Sequence, residues 1–409
     1  MPWKLIVILI LTLGHLYKLA LDITGHRSTN NPIPHNVADV YDPETYEKWR
    51  RYRGENSRLG LITDLLSYAI TLTLLLSDAY AAVASLLPAG VFWQLLAVIL
   101  LESLIGFVVH GVLNYISTMV IEEKYGFNRS TIKTFVADQL RMLAVELLLS
   151  IGLSLLLGWL HGSLGDWMIL LFAAAMFVVT LVISFLYPIL SRLGNKFTPL
   201  EEGELKERLV ALLTKHGYQV KAIEVMDASR RTTKMNAYFT GFGKLKTIVL
   251  YDTLVEGLTT DEICAVFAHE LGHGIHKDVL KQQTLNFVNL LGMAVAVWLA
   301  VRWPEMHEAF GFAGVNYGFG YILAGIGLGL VTPLLQLGIH AYSRHAEYRA
   351  DRQAVAEGYG EALVTALKKL ARENFSHLSP SPVLVALEYS HPPLSQRIEA
   401  IEKANKKDA

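Results

Sequence analysis

Charge is scarce in this chain. Asp, Glu, Lys and Arg make up 18% of its 409 residues, against about a quarter in an ordinary soluble domain. Cysteine is nearly absent: the single Cys264 excludes an internal disulfide framework and a Cys-rich structural zinc site, so any zinc must draw on His and carboxylate ligands. The formal net charge is −1, and no basic tract stands out, so nothing points to a nucleic-acid partner. Internal repeats and low-complexity tracts are also missing. What is abundant is apolar sequence: 52% of residues are hydrophobic and the mean hydropathy is +0.35. That balance belongs to a membrane protein.

A membrane-crossing helix needs about 20 mostly apolar residues. Seven stretches qualify: 4–22, 61–83, 92–113, 142–160, 166–188, 284–302 and 320–342. The first is short, with Lys4 before it and Lys18 near its end. It could be a cleaved leader, but no small-residue cleavage site follows, so a retained span is expected. Lys and Arg alternate between the connecting segments. Arg27, Lys48, Arg50, Arg51, Arg53 and Arg58 lie in 23–60; Lys124, Arg129, Lys133 and Arg141 lie in 114–141. Segments 84–91, 161–165 and 303–319 have none of these residues except in the flanking spans, whereas 189–283 and the tail after 342 are rich in them. By the positive-inside rule the rich segments face the cytoplasm and the N-terminus lies outside. Five ionisable residues fall in the expected spans: Asp64, Asp78, Glu102, His110 and Glu146. An acid at a helix centre costs about 2.5–3.5 kcal/mol on insertion. Some can sit at the interface, where that cost is small; Glu102 and His110, two turns apart on one face, fit a wet interior better.

Residues 260–278 read TDEICAVFAHELGHGIHKD. Thr260 with Asp261 and Glu262 makes a good helix start. On that helix His269 and His273 are i and i+4, so both imidazoles point the same way and can grip one zinc ion. Glu270 can reach a water on that metal and take its proton during attack on a peptide carbonyl. His276 is spaced three residues on and is not expected to be a ligand. Gly272 weakens the helix by about 1 kcal/mol relative to Ala, which is tolerable if something packs close there. A catalytic zinc wants three protein ligands. The third must come from elsewhere, and AYSRHAEYRADRQAV at 341–355 offers Glu347, with His345 a close rival by position. Asp351, four residues beyond Glu347, can accept the second N–H of a ligating His. Read alone, these acids with Arg344, Arg349 and Arg352 would be an ordinary charged surface helix.

The chain resembles the type I CaaX prenyl endopeptidases, seven-span zinc metalloproteases of the endoplasmic reticulum with bacterial relatives. The resemblance is carried by VIEEKYGFNRST at Val120–Thr131, NKFTPLEEGELK at Asn195–Lys206, NAYFTGFG at Asn236–Gly243, HELGHGIHKD, EYRAD at Glu347–Asp351 and SHPPLSQRI at Ser390–Ile398. A four-span heat-shock membrane protease shares only the catalytic part, and the span count argues against it. The resemblance implies one zinc ion per chain held by His269, His273 and Glu347, with Glu270 as general base and Asp351 behind a ligand. It places His391 and Arg397 near the substrate or the developing oxyanion; by spacing alone, Pro392 and Pro393 would be helix-start punctuation. It also implies a large water-filled chamber among the spans, with the zinc at its cytoplasmic end.

NAYFTGFGKLKTIVLYDTLV suggests two strands around a glycine-containing turn, a small antiparallel sheet beside the zinc helix. Its edge could pair with an extended substrate. The resemblance favours that role, with Asn236, Ala237 and Tyr238 as contacts. The expected fold is mainly α: a polytopic membrane protein with about seven transmembrane helices and a cytoplasmic zincin-type metalloprotease domain carrying a small β-sheet. Its expected segments are a five-span bundle at 1–188, a zinc-helix segment with the sheet at 189–283, a two-span hairpin at 284–342, and a helical tail at 343–409 that completes the site. The expected partners are a peptide or protein C-terminus, with or without a prenyl group, and the bilayer; no feature calls for an oligomer. The expected address is a bacterial inner membrane, given the compact length, or the endoplasmic reticulum in a eukaryote. Three other readings compete: a broader quality-control protease without prenyl dependence, a zinc-binding channel or scaffold, and a transporter. The intact Glu270 speaks against a channel or scaffold. A transporter would show broken, Gly-rich spans in corresponding halves, and only the last span, with Pro333, has that look.

Overall fold

A computed structural model describes every residue except Met1, Ala89, Ser191, Leu193, 241–244 and Ala409. The first part is helical: α1 (Pro2–Ser28), α2 (Pro43–Leu76), α3 (Ala79–Ala84), α4 (Val91–Tyr115), α5 (Glu123–Tyr125), α6 (Ile132–Leu164) and α7 (Met168–Leu190). A mixed segment follows, with β1 (Phe197–Pro199), α8 (Glu204–Lys215), β2 (Gln219–Met226), β3 (Ala237–Thr240), β4 (Leu245–Tyr251), α9 (Asp252–Gly257) and α10 (Thr260–Ile275). The rest is α11 (Asp278–Arg302), α12 (Pro304–Glu308), α13 (Tyr317–Ala356), α14 (Gly360–Glu373), α15 (Pro382–Glu388) and α16 (Leu394–Asp408).

Six apolar stretches among the described residues are long enough to cross a membrane. One, Ile132–Ile183, is two helices: a turn at Gly165–Trp167 separates α6 from α7, with Gly165 at φ 53°, a conformation glycine adopts without strain. The expected spans therefore fall on α1, α2, α4, α6, α7, α11 and α13. One boundary is corrected. The second span does not continue to residue 83; α2 stops at Leu76, and Asp78 turns the chain with φ 53° before α3. Asp78 is thus at a helix junction, where its carboxylate takes Lys4 at 2.7 Å. Asp64 stays inside its span, and Lys18 of α1 neutralises it, the pairing an intramembrane acid requires.

Helix α4 exposes two opposite faces. Leu100, Leu104, Val108 and Val112 are exposed on one; Glu102 and His110 are exposed on the other, with Tyr80 donating to Glu102. An apolar face suits lipid, and a polar one suits water.

The segments rich in Lys and Arg converge at one end of the bundle. Val37, Tyr41 and Trp49 from 23–60, Tyr125 and Phe127 from 114–141, and Phe375 and Ile398 from the tail share one buried cluster. Trp49 Nε1 donates to the carbonyl of Phe375 at 3.1 Å, and Lys368 reaches Asp39 at 2.8 Å. The connections poor in basic residues gather with the N-terminus: Trp3 stacks on Trp303, and Arg302 and Trp298 both bond Asp166.

The sheet also differs from expectation. It has four strands in the order β1-β2-β4-β3. β3 and β4 pair antiparallel, Ala237 opposite Leu250 and Thr240 opposite Thr247, as the hairpin reading requires. The expected turn between them, at 241–244, lies outside the described residues. But β2 adds parallel to β4, so the sheet is mixed. β4 is the covered strand: Ile248 and Leu250 pack on Ile263, Phe267 and Leu271 of α10, while Val249 faces Met226 and Ala228. The sheet thus fixes the back of the zinc helix.

α13 is one continuous helix of 40 residues despite Pro333, roughly 60 Å long and twice what a bilayer core needs. The expected boundary at 342/343 falls inside it, so the span and the downstream acids are parts of one rod. α10 lies against that rod closely. A Cβ on Gly272 would come 2.9 Å from the Cα of Ala350 and 3.0 Å from the Cβ of Gln353. Ala346, Ala350 and Ala354, four residues apart and buried, form the small-residue stripe that lets α10 approach. Gly272→Ala should lower the melting temperature of the purified protein. The alanine gains about 1 kcal/mol of helix propensity, but overpacking against backbone costs about 1–3 kcal/mol. A variant that melts higher would show slack in this contact.

Candidate metal and peptidase site

α10 starts on a capping box one residue before the expected start. Thr259 Oγ1 accepts from Glu262 N at 3.3 Å, and Glu262 Oε2 accepts from Thr259 N at 2.8 Å. Two turns on, His269 and His273 stand with ring centroids 4.9 Å apart and planes at 89°. Across from them on α13 is Glu347, buried. One ligand atom from each of His269, His273 and Glu347 lies within 4.8 Å of the others. His273 Nε2 is 3.3 Å from Glu347 Oε1, and His269 Nε2 is 3.5 Å from Oε2. His345, the rival third ligand, is exposed and outside the cluster. His276 is outside it too.

Both imidazoles are oriented from behind. Asp351 Oδ1 accepts from His269 Nδ1 at 2.9 Å, and Asp278 Oδ2 accepts from His273 Nδ1 at 3.1 Å. A carboxylate only accepts, so each Nδ1 carries the proton and each Nε2 keeps its lone pair toward Glu347. Guanidiniums hold both carboxylates in turn. Arg397 Nη2 and Nε donate to Asp351 at 2.6 and 3.0 Å, and Arg349 donates to Asp278, which also accepts from Tyr342 Oη at 2.8 Å. Arg397 therefore sits at the cluster, 3.4 Å from Glu347 by Nη1, but its main partner is Asp351; the geometry makes it a positioning residue. His391 Nε2 is 3.3 Å from Glu347 Oε1, and its side chain is largely exposed.

Sequence reasoning missed Asp278 and Arg349. Arg349 looked like a surface charge, yet it is largely buried against Asp278. Asp278 was visible only as an acid five residues past His273. It reaches back because Lys277 takes φ 56°, ending α10 and starting α11 at once.

The donor set fits zinc: two imidazoles and one carboxylate, the three protein ligands a catalytic zinc uses. The strongest sign is Glu347 Oε2, a buried carboxylate oxygen that makes no hydrogen bond among the described residues and has Arg397 Nη1 and His269 Nε2 only at 3.4 and 3.5 Å. Leaving such an atom unsatisfied is costly, and a cation between it and the two Nε2 atoms removes the cost. Without a cation the site holds a proton instead. Burial and the charge of Arg397 disfavour protonation of His269, but hydrogen bonds to Asp351 and Glu347 outweigh them and raise its pKa to about 9. Burial opposes protonation of His273 too, and Glu347 again overcomes it.

Beside the cluster, Glu270 lines a narrow recess with Ala237 and Tyr238 of β3 and Val266 and Phe267 of α10. β3 is the end strand of the sheet. Asn236 precedes it, exposed, with Oδ1 accepting from Ala237 N at 2.9 Å.

Comparison with known proteins follows the same division. Residues 23–192 match the family model described as CAAX prenyl protease N-terminal, five membrane helices, and residues 199–405 match peptidase family M48. The CAAX prenyl protease 1 homolog of Oryza sativa is 31% identical over 100% of this chain and 99% of its own length. CAAX prenyl protease 1 of Saccharomyces cerevisiae is 30% identical over 99% and 96%. The crystal structure of Ste24p from S. mikatae is similar with a TM-score of 0.92 and 28% identity, covering 98% of this chain and 99% of that one.

Two measurements test the site. Zinc must displace the His269 proton at neutral pH, since a ligating imidazole is deprotonated. Zinc affinity should therefore rise with pH, about tenfold per unit for one released proton, and flatten near pH 9; a pH-independent affinity would contradict the geometry. Asp278→Asn should weaken zinc binding about 10- to 100-fold, as should Asp351→Asn, measured by competition with a chelator. An unchanged affinity for Asp278→Asn would remove it from the site.

Proposed function

The chain belongs to peptidase family M48 and is a membrane-spanning zinc metalloprotease of the CAAX prenyl protease type, and from that premise we propose that it cuts prenylated protein C-termini at the cluster of His269, His273, Glu347 and Glu270. The buried carboxylate of Glu347, facing the Nε2 atoms of two oriented imidazoles, carries this reading.

In it, His269, His273 and Glu347 hold one zinc ion. Bound there, zinc is a Lewis acid that lowers the pKa of a water and polarises the scissile carbonyl. Glu270, next to the first ligand and in the recess beside β3, takes the proton of the attacking water and returns it to the leaving amine. Asp351 and Asp278 accept from the two Nδ1–H groups and so aim both Nε2 atoms at the metal position. Arg397 fixes Asp351, and His391, exposed beside Glu347, faces the substrate, where it can donate to the developing oxyanion. The substrate chain lies extended along β3, its backbone against the outer side of this end strand at Asn236, Ala237 and Tyr238. The exposed polar face of α4 supports a water-filled space inside the bundle, and the prenyl group enters from the membrane.

The site faces the cytoplasm in this reading. Its support is the convergence of the basic segments on the zinc-site end, which the positive-inside rule assigns to that side. The membrane is the inner membrane of a bacterium; in a eukaryotic cell it would be the endoplasmic reticulum.

A farnesylated peptide and its unlipidated twin, each with and without chelator, test the reading. The farnesylated peptide should be cleaved faster, and chelation should stop cleavage. Glu270→Ala should reduce turnover by at least the 10²–10⁴-fold that a general base supplies while zinc stays bound. Equal rates for the two peptides would replace prenyl recognition with broader membrane proteolysis, and cleavage surviving Glu270→Ala would sink the mechanism.

A further inference from the structure

A strongly basic feature lies away from the residues of the zinc site. A cavity lies where α6 begins and α7 has ended, walled by three separate stretches: the first turns of α6, then Arg192 with Gly194, Asn195 and Lys196, and Arg230 with Arg231 after β2. Six cations line it: Lys133, Arg141, Arg192, Lys196, Arg230 and Arg231. Asp138 is the only acid among the lining residues, and it serves two of them, Arg141 at 2.9 Å and Arg231 at 3.4 Å. Arg192 takes Glu224 and Arg230 takes Asp227. Six cations against three carboxylates leave three positive charges. Lys133 and Lys196 make no ion pair among the described residues.

The cations are also forced together. A Cβ built on Gly194 would lie 3.0 Å from Arg231 Nη2 and 3.4 Å from Arg141 Nη1, so two guanidiniums converge over one glycine. Arg231 is fixed there by the Gly194 carbonyl at 2.7 Å and Asn195 Oδ1 at 2.5 Å. Asp138 joins these two guanidiniums, and the charge left without a counter-ion, on Lys133 and Lys196 beside them, favours a bound anion.

The surroundings say which anion. Further along α6, Val145 and Leu148 are exposed on the face that carries Asp138 and Arg141, an apolar strip leading from the cavity into the span. Tyr115 pairs at 5.9 Å with Phe135, the neighbour of the cavity-lining Thr134 in the first turn of α6, and aromatic side chains at a span end mark a membrane interface. A phosphate in the cavity would have its acyl chains directed along that strip. We propose that this cavity binds the headgroup of an anionic phospholipid, so the protein carries a lipid site of its own apart from the peptidase centre. The proposal is independent of the peptidase's substrate. Basic recesses between spans at a membrane surface suit such headgroups, and guanidiniums suit the phosphate itself.

The test uses the full chain in nanodiscs of phosphatidylcholine mixed with phosphatidylglycerol, followed by native mass spectrometry of retained lipid. The unchanged protein should retain phosphatidylglycerol over phosphatidylcholine. The double variant Lys133→Gln, Lys196→Gln should lose about fivefold per cation removed, while Lys403→Gln with Lys406→Gln, an equal charge change on α16, should not. Peptidase activity in pure phosphatidylcholine reports folding of the double variant; should it fall, Arg192→Gln gives the same readout. Equal retention of the two lipids, or retention unaffected by loss of the cavity cations, would overturn the proposal. Displacement of phosphatidylglycerol by inorganic phosphate at matched ionic strength would overturn it too, by making this a soluble-anion site.

Discussion

Two histidines one turn apart can grip a metal only if a third donor is brought to them, and here that depends on how near α10 comes to α13. Gly272 has no side chain, and Ala346, Ala350 and Ala354 have almost none. The helix axes close until the Glu347 carboxylate stands 3.3 and 3.5 Å from the two Nε2 atoms. Side chains any larger at this crossing would move the carboxylate away from the imidazoles, because α13 is anchored along a bilayer and cannot easily shift. The sheet presses from the other side: Ile248 and Leu250 of β4 fill the face of α10 opposite the crossing. The zinc helix is thus clamped between a sheet and a membrane rod, and the site exists at the contact.

Charge balance follows from the same contact. Glu270, Glu347, Asp351 and Asp278 bring four negative charges into a small volume; Arg397 and Arg349 return two positive ones. The remainder is two negative charges, which is what a divalent cation neutralises. Buried charge is tolerable only when compensated and hydrogen-bonded. Each imidazole has the same support, an aspartate held by an arginine, although the four supporting residues come from α11, α13 and α16.

Much of this was legible in the sequence, and the failures have physical reasons. HELGH placed His269 and His273 side by side, with Glu270 next to them, because a helix period fixes where i and i+4 point. Glu347 and Asp351 were legible for the same reason, once a missing ligand had to be found. Arg349 was not: a charge pattern cannot say whether an arginine meets water or a buried aspartate. Asp278 depends on the left-handed turn at Lys277, which no period announces. The end of α2 was hidden because Ser77 and Asp78 interrupt an otherwise apolar run, and hydropathy averages over such breaks. β2 was missed as a parallel partner because its pairing with β4 is long-range, set by the core beneath it. The seven spans were legible because bilayer thickness imposes a length that composition alone reveals.

The continuity of the helices also sets the depth of the site. Apolar sequence ends near residue 342 on α13, and Glu347 lies five residues further along the same helix. On α11 it begins near residue 284, and Asp278 is six residues before it. At 1.5 Å per residue these give roughly 8 and 9 Å beyond the apolar spans. The headgroup layer is about 5–8 Å thick on each side of the hydrocarbon core. Two independent helices therefore put the cluster at the outer edge of the headgroups, in contact with water yet close to the lipid. A soluble peptidase could not wait at that height. A chain end tethered by a lipid is confined to it, so a rigid helix that leaves the membrane already carrying a ligand replaces the search in three dimensions by one at fixed depth. The orientation of the metal, the spacing from the bilayer and the proposed substrate class are then consequences of one decision in the fold, which is that α13 does not break where the membrane ends.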